Sequence, residues 1–254
     1  MALIDAPVLT IAYSTLYHRA ANIRLPAPRQ GIEVLVLVQG APTDAPPLHR
    51  RSDLKELHLD GTGVARSRNA AIDHAHGRYL LFADDDIDFL PEGIAALCAA
   101  LDADLDLTLV TGQTCGPDGA LRKRYSLRAQ ALGRLNSAKT ATYEMMLRLA
   151  PIRASGLRFD EAFGAGMPNF IGDEYIFVTD LLDRGLKARF VPVTVAMHPA
   201  DSSGLRWSGP APMRARKALF RRVFGPIWPI PAALFVLRNW RRVERVADLR
   251  HLFL

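Results

Sequence analysis

Three consecutive aspartates, Asp84, Asp85 and Asp86, directly follow an apolar stretch at residues 79–83. This composition predicts a strand buried on both faces of a parallel sheet, and the carboxyl end of such a strand opens into the ligand crevice of α/β proteins. Adjacent carboxylates repel one another, and a divalent cation that prefers oxygen ligands offsets the repulsion. Alternation along an extended chain lets Asp84 and Asp86 share one ligand while Asp85 points elsewhere. The alternative interpretation is a solvated acidic turn that precedes the next helix.

Two further candidates lie nearer the carboxyl terminus. Asp173 and Glu174 follow Gly172 at a predicted helix start. Acids at that position stabilise the helix dipole and cap free amides, but a carboxylate beside a crevice is also suited to act as a general base. His198 ends a predicted strand; a lone histidine is usually structural, although a strand end in a chain with an acid-tipped strand also makes it a candidate metal ligand.

The elements that position these residues follow an alternating order. Strands are predicted at residues 8–14, 32–38, 56–59, 79–83, 107–111 and 190–197, and helices at 20–25, 64–76, 90–103 and 174–184. Strand alternating with helix is typical of a doubly wound, mainly parallel sheet with helices on both faces. Residues 140–152 favour neither strand nor helix, and residues 126–139 support no prediction.

Composition predicts one large α/β domain followed by a tail. The chain has 254 residues, of which 49% are hydrophobic, so it is able to bury a large core. Its net charge of +6 indicates an anionic partner. The excess of arginine lies after residue 206, which divides the chain into a predicted domain at 1–205 and a basic, apolar helical tail at 206–254. No recognised nucleic-acid module surrounds these arginines, so nucleic acid is not expected as a partner.

The apolar part of the tail, residues 223–237, is interrupted by prolines and flanked by arginines. It is shorter than the roughly 20 apolar residues of a membrane-spanning helix. Two interpretations stay open: the segment lies at a membrane surface with Trp228 and Trp240 at headgroup level, or it packs on its own domain or on a second subunit.

The two cysteines, Cys98 and Cys115, lack metal-ligand spacing, which favours a reducing compartment. The amino-terminal residues do not show the pattern of a signal peptide. The expected location is therefore the cytoplasm, with peripheral contact to the inner face of the cell membrane.

The sequence GVARSRNAAI at residues 63–72, followed by AHGRYLLFADDD at 75–86, resembles the family 2 glycosyltransferases of the GT-A fold. It is similar to the family's run that joins an Arg-Asn helix to a strand ending in the DxD motif. The resemblance covers roughly residues 8–205. It implies a Rossmann-like, mainly parallel sheet flanked by helices, and an inverting enzyme that uses a nucleotide-diphosphate sugar.

The resemblance also implies roles for individual residues. Mn²⁺ or Mg²⁺ is expected at Asp86, with Asp84 and His198 as further ligands. The segment Gly172-Asp173-Glu174 is similar to the family's Gly-Glu-Asp with its two acids exchanged. Glu174 matches the base by position, and Asp173 competes for that role.

Donor contacts are expected from Arg68, Asp84, Asp85, Gln39 and Ser14. Two positions depart from the family pattern. After the second strand the family usually has Val-Asp-Asp-Gly-Ser, where this chain has Gln39. The first strand normally leads into Pro-x-Tyr-Asn, where this chain reads Ala-Tyr-Ser-Thr and ends near Ser14.

The predicted function is transfer of a sugar, from a UDP-sugar in the first instance, to a hydroxyl of a saccharide or glycolipid acceptor, as in polysaccharide or glycolipid synthesis. One alternative is a metal-dependent nucleotidyltransferase, which would need an activating lysine; only Lys55 and Lys187 lie near predicted strands, and neither is in a glycine-rich loop. Another is a catalytically silent nucleotide-sugar-binding subunit of a membrane assembly.

Overall fold

A large mixed β-sheet forms the centre of the computed structural model, which describes residues 7–198 and 209–254. Its strands are β1 Leu9–Leu16, β2 Ile32–Gln39, β3 Leu54–Leu59, β4 Tyr79–Asp84, β5 Asp88–Phe89, β6 Leu107–Cys115, β7 Gln130–Ala131, β8 Met145–Arg148 and β9 Lys187–Met197. Across the described residues their spatial order is β3-β2-β1-β4-β8-β6-β9-β5, and β7 pairs with β9.

The sheet is parallel in its first half and mixed in its second. Strands β3, β2, β1 and β4 are all parallel neighbours, whereas β8 runs antiparallel to both β4 and β6. Strands β6 and β9 are again parallel. The α/β fold class predicted from the sequence is confirmed, and the inserted strand β8 makes the sheet less uniformly parallel than the alternation of elements predicted.

Helices cover both faces of this sheet. They are α1 Tyr17–Ala20, α2 Val64–His74, α3 Pro91–Ala103, α4 Leu149–Ala154, α5 Asp173–Asp183, α6 Pro210–Phe224, α7 Pro229–Arg238 and α8 Arg250–Phe253. Leu35 and Leu37 of β2 pack in one core cluster with residues of α2, α4 and α5, while Val34 and Val36 pack in the other with residues of α3. Strand β2 is therefore buried on both faces, as its continuous apolar sequence predicts.

Two local predictions change in the structure. The prediction of a helix at 20–25 is wrong. Helix α1 is a single turn that ends at Ala20, and residues 21–31 form no helix. Pro26 biases the residue before it toward extended backbone, which opposes a helix that reaches Leu25. The ambiguous stretch at 140–152 contains both elements, because β8 leads directly into α4.

The first helix of the tail packs on the sheet domain. Val223 of α6 joins a small apolar cluster with Phe163, Tyr175 and Ile176. Arg222 donates hydrogen bonds to the carboxylates of Asp160 and Asp180 on the domain. Helix α6 therefore packs against α5 of the sheet domain. The predicted boundary at residue 205 falls outside the described residues.

Gly77 lies close to the backbone of β1, so a substitution at Gly77 tests how tightly these segments pack. A Cβ atom at Gly77 would lie 2.4 Å from the backbone N of Thr10 in β1. We expect Gly77→Ala to lower the free energy of unfolding by about 1–3 kcal/mol, since neither backbone is able to yield. Chemical denaturation measures the change. Gly133→Ala is the matched control, because its Cβ would meet no atom closer than 3.8 Å; equal stability of the two variants would contradict the packing.

Candidate active site

The carboxyl ends of three parallel strands meet at one edge of the sheet. Ser14 of β1 pairs in register with Asp84 of β4, and Gln39 ends the neighbouring strand β2. The carboxyl end of β4 and the start of α5 lie at the same edge, because Arg68 contacts Asp84 and Asp173. Side chains distant in sequence are thereby brought into one site, at the position where α/β sheets bind ligands.

Arg68 is the centre of this arrangement. Its guanidinium, on the buried face of α2, donates a hydrogen bond to Asp173 and lies 3.6 Å from Asp84 Oδ1 and 3.8 Å from Glu174 Oε1. Burial alone would lower the pKa of Arg68, but the Asp173, Glu174 and Asp84 carboxylates raise it above its ordinary value. The cation therefore stays charged and holds the end of β4 against the start of α5.

Asp173 and Glu174 differ in accessibility. The Asp173 side chain is 5% exposed and faces Arg68, whereas the Glu174 side chain is 23% exposed. Thr142 donates a hydrogen bond of 2.9 Å to Glu174 Oε1. This bond fixes one oxygen of Glu174 while the side chain remains reachable from solvent. Of the two acids, Glu174 is therefore the more accessible to solvent.

The pKa values of Asp173 and Glu174 are shifted in opposite directions. Burial and the neighbouring Glu174 carboxylate raise the pKa of Asp173 to about 7. Burial would also raise the pKa of Glu174, but Arg68, the Glu174 backbone amide and the Thr142 hydroxyl together hold it below its usual range. Two carboxylates that share one guanidinium separate their pKa values in this way. Glu174 is therefore ionised at neutral pH, as a proton acceptor must be.

The three aspartates after β4 separate in the turn. Strand β4 ends at Asp84, so the alternation of an extended chain does not continue through the run. Asp85 accepts a hydrogen bond of 2.8 Å from Thr15 and forms an ion pair of 2.5 Å with Arg19. Asp84 faces Arg68, and Asp86 Oδ1 lies 3.6 Å from Nε2 of His198. Asp85 thus points to different partners from its two neighbours.

His198 is held by Arg122. The Arg122 guanidinium donates to Nδ1 of His198 at 2.6 Å and to its carbonyl oxygen at 3.0 Å. A guanidinium has only donors, so Nδ1 is the acceptor and, in the neutral ring, Nε2 carries the proton. That N–H faces Asp86. The ring of Tyr143, 5.1 Å away between centroids, covers His198.

The donor set at this edge fits a hard divalent cation in part. Asp86 is about one third exposed, and burial raises the pKa of nearby Asp84 although Arg68 opposes the rise, so added positive charge there is favourable. Within residues 7–198 and 209–254 no three acidic, histidine or cysteine side chains form a ready cluster. A cation bound by Asp86 would complete its shell with phosphate oxygens and water, as Mg²⁺ commonly does. His198 would join only if Arg122 left Nδ1.

The predicted donor-binding residues Ser14 and Gln39 are engaged with α2. Ser14 Oγ accepts a hydrogen bond of 2.8 Å from Ser67, and Gln39 Oε1 accepts one of 2.8 Å from the backbone amide of Gly63. These contacts align the start of α2 with the strand ends. Contact of Ser14, Gln39, Asp85 or Arg68 with a nucleotide remains a prediction.

Three residues of the site were not found from the sequence: Thr142, Arg122 and Arg19. Thr142 and Arg122 lie in segments without clear periodicity, and each reaches its partner across a long stretch of chain. Arg19 carried a usable signal, since a basic residue in the first turn after β1 lies at the same sheet edge as the acids.

Comparison with known proteins agrees with this architecture. The sequence model described as "Glycosyl transferase family 2" matches residues 17–159, and no curated protein matches the chain. Among solved structures, S. aureus TarS 1–349 in complex with UDP-GlcNAc is similar, with a TM-score of 0.59, 12% identity, and coverage of 96% of this chain and 78% of that one. The same protein in complex with UDP gives a TM-score of 0.58, 13% identity, and coverage of 94% and 72%.

The mixed α/β sheet flanked by helices is thus the GT-A type of fold that these structures share. The chain belongs to glycosyl transferase family 2, because the family model covers more than half of it, at residues 17–159. The resemblance seen in the Arg-Asn helix and the acid-tipped strand is thereby confirmed.

Proposed function

We propose that this protein transfers a sugar from a nucleotide-diphosphate sugar to an acceptor hydroxyl, with inversion at the anomeric carbon. The observation that carries the proposal is the Arg68 network, which joins the acid-tipped strand β4 to the accessible acid Glu174 at one edge of the sheet. A donor bound at the strand ends would present its anomeric carbon toward Glu174. A UDP-sugar is the first donor to test, since the similar TarS structures contain UDP and UDP-GlcNAc.

Glu174 acts in this proposal as the general base. It is ionised, partly exposed and fixed by Thr142, so it is placed to take the proton of an acceptor hydroxyl as that hydroxyl attacks. One base that acts on the acceptor gives a single displacement, and therefore inversion. Asp173 is a positioning residue, because its buried carboxylate holds Arg68.

The donor side is formed by Ser14, Gln39, Asp84 and Asp85, with Arg68 behind them. Asp86 would hold Mg²⁺ or Mn²⁺, with Asp84 nearby and His198 available after Arg122 releases it. When bound, such a cation supplies Lewis-acid neutralisation of the charge on the leaving nucleotide diphosphate. The chain's own contribution is to hold these carboxylates at the end of β4 and in the turn directly after it, which spares their reorganisation during the reaction.

The acceptor is a saccharide or glycolipid hydroxyl in this proposal, in polysaccharide or glycolipid synthesis. A glycolipid acceptor would require the open side of the site to reach a membrane surface. The protein would accordingly work at the cytoplasmic face of the cell membrane, in peripheral contact with it.

Calorimetric titration tests the donor site without knowledge of the acceptor. UDP and GDP are titrated into the wild type and Asp86→Ala, each with and without Mn²⁺. We expect one nucleotide to bind in a Mn²⁺-dependent manner and Asp86→Ala to remove that dependence, because Asp86 is the exposed acid beside His198. Asp106→Ala is the control, because Asp106 is an exposed acid before the start of β6, at the opposite end of that strand from the site. Tight binding that ignores both Mn²⁺ and the substitution would contradict the assignment.

A further inference from the structure

Helix α7 exposes an apolar face to solvent. Ile230, Leu234 and Leu237 recur at helical spacing and are 63%, 62% and 69% exposed. The opposite side of the helix, with Ala232 and Val236, is buried in a cluster with residues of α6 and α8. Such a continuous exposed face on an otherwise well-packed helix marks an interaction surface.

A basic cavity lies in the same tail. It has a volume of about 490 Å³ and is lined by Arg214, Lys217, Arg221, Arg250, His251 and Leu254. Among the residues that the structure describes, no acidic side chain lines it. Cations gathered around one concave surface attract an anionic group such as a phosphate.

The cavity and the apolar face adjoin through Trp228. Lys217 of the cavity lies over the Trp228 ring, with Nζ 5.9 Å from the ring centroid. Trp228 also stacks on Phe253 and directly precedes α7, beside the 61% exposed Ile227. One continuous surface therefore carries a cationic cavity at one end and an apolar helix face at the other.

We propose that this surface binds a bilayer that contains anionic lipid. The cavity takes the phosphate of a lipid headgroup, and the face of Ile230, Leu234 and Leu237 enters the boundary of the acyl chains. An interfacial position fits the helix, because its 10 residues are about 15 Å long. Of the helices in the described parts of the chain, none combines the length and hydropathy needed to cross a bilayer.

The charge of the cavity selects the membrane over a second copy of the chain. A symmetric dimer through the apolar face would use the same patch on both subunits, and it would leave the basic cavity at each end of that patch without an anionic partner. An anionic lipid surface offers the complementary charge. Exposed Arg238, the last residue of α7, and Arg241 and Arg245 after it add to the same attraction.

Vesicle sedimentation tests the proposal. It does not depend on the nucleotide titration, so membrane binding and the proposed donor site are tested independently. The full chain is mixed with vesicles of phosphatidylcholine, with or without phosphatidylglycerol. We expect binding only when phosphatidylglycerol is present. Leu234→Glu/Leu237→Glu should weaken that binding about tenfold or more, because it removes apolar contact and adds two negative charges. Leu127→Glu, at a residue 92% exposed on the sheet domain, should leave it unchanged.

A second variant separates the cavity from the helix. Arg214→Gln/Lys217→Gln removes two charges and should weaken binding roughly tenfold or more, and the binding that is left should depend less on added salt than that of the wild type. Light scattering accompanies each measurement. The proposal is overturned if wild-type binding is the same with and without phosphatidylglycerol, or if the Leu234/Leu237 variant binds vesicles as the wild type does. It is also overturned if light scattering shows that the wild type is a dimer and the Leu234/Leu237 variant a monomer.

Discussion

Replacement of Glu174 by Gln is expected to slow sugar transfer by about 10²–10⁴-fold, the usual contribution of a positioned general base. The amide keeps the size of the side chain and a hydrogen bond from Thr142, but it has no basic oxygen for the acceptor proton. Nucleotide binding should persist, because Glu174 lies on the acceptor side of the network. Initial rates of nucleoside diphosphate release and calorimetry measure the two effects separately.

Asp173→Asn is the matched comparison. Asp173 holds Arg68 and is almost fully buried. The neutral Asn side chain should weaken the Arg68 network, and the loss of transfer should be smaller than that caused by Glu174→Gln. The reverse order, with Asp173→Asn inactive and Glu174→Gln active, would exchange the two roles and refute the assignment made from accessibility.

Replacement of Arg68 by Met is expected to give the largest loss of stability in the site. The substitution leaves the buried Asp173 carboxylate without the guanidinium that it contacts, and removal of one partner of a buried ion pair costs about 3–5 kcal/mol. Transfer should fall with it, since Asp84 and Glu174 lose their common link. Denaturant unfolding followed by circular dichroism gives the change in stability.

Two controls make this result specific. Arg66→Met, on the same helix, removes a surface ion pair with Glu161 and an exposed hydrogen bond to the carbonyl oxygen of Asp60, and should change stability by about 0–1 kcal/mol. Adding Asp173→Asn to Arg68→Met should recover part of the loss, because it removes the carboxylate left without its partner. Strict additivity of the two substitutions would show that Arg68 and Asp173 are not coupled.

Residues whose environment is set by their own neighbours in sequence were predicted well. The apolar run before Asp84 specified a buried strand, and the same run fixed where its acids emerge. The start of α5 was predicted from Gly172 and the two acids after it. Gly172 has φ +88°, in the left-handed region that favours glycine, and a Cβ there would lie 2.5 Å from Leu219 of α6.

Contacts made across the fold were not predictable in the same way. The sequence placed Arg68 near a nucleotide, but it held no information that the guanidinium is buried among three carboxylates. The link from Thr142 to Glu174, and that from Arg122 to His198, depend on how β8 and the turn after β6 pack. The insertion of β8 between β4 and β6 was likewise hidden, because the alternation of elements predicts only the local order of strands and helices.

Release of nucleoside diphosphate from sugar nucleotides tests the central claim most directly, since water is able to replace an unknown acceptor. A panel of UDP- and GDP-sugars is incubated with Mn²⁺ and the wild type, Glu174→Gln or Asp86→Ala. We predict release from at least one donor by the wild type, with a strong loss in both variants. Release that is equal in all three proteins, or absent with every donor, would contradict an active site built on Asp86 and Glu174.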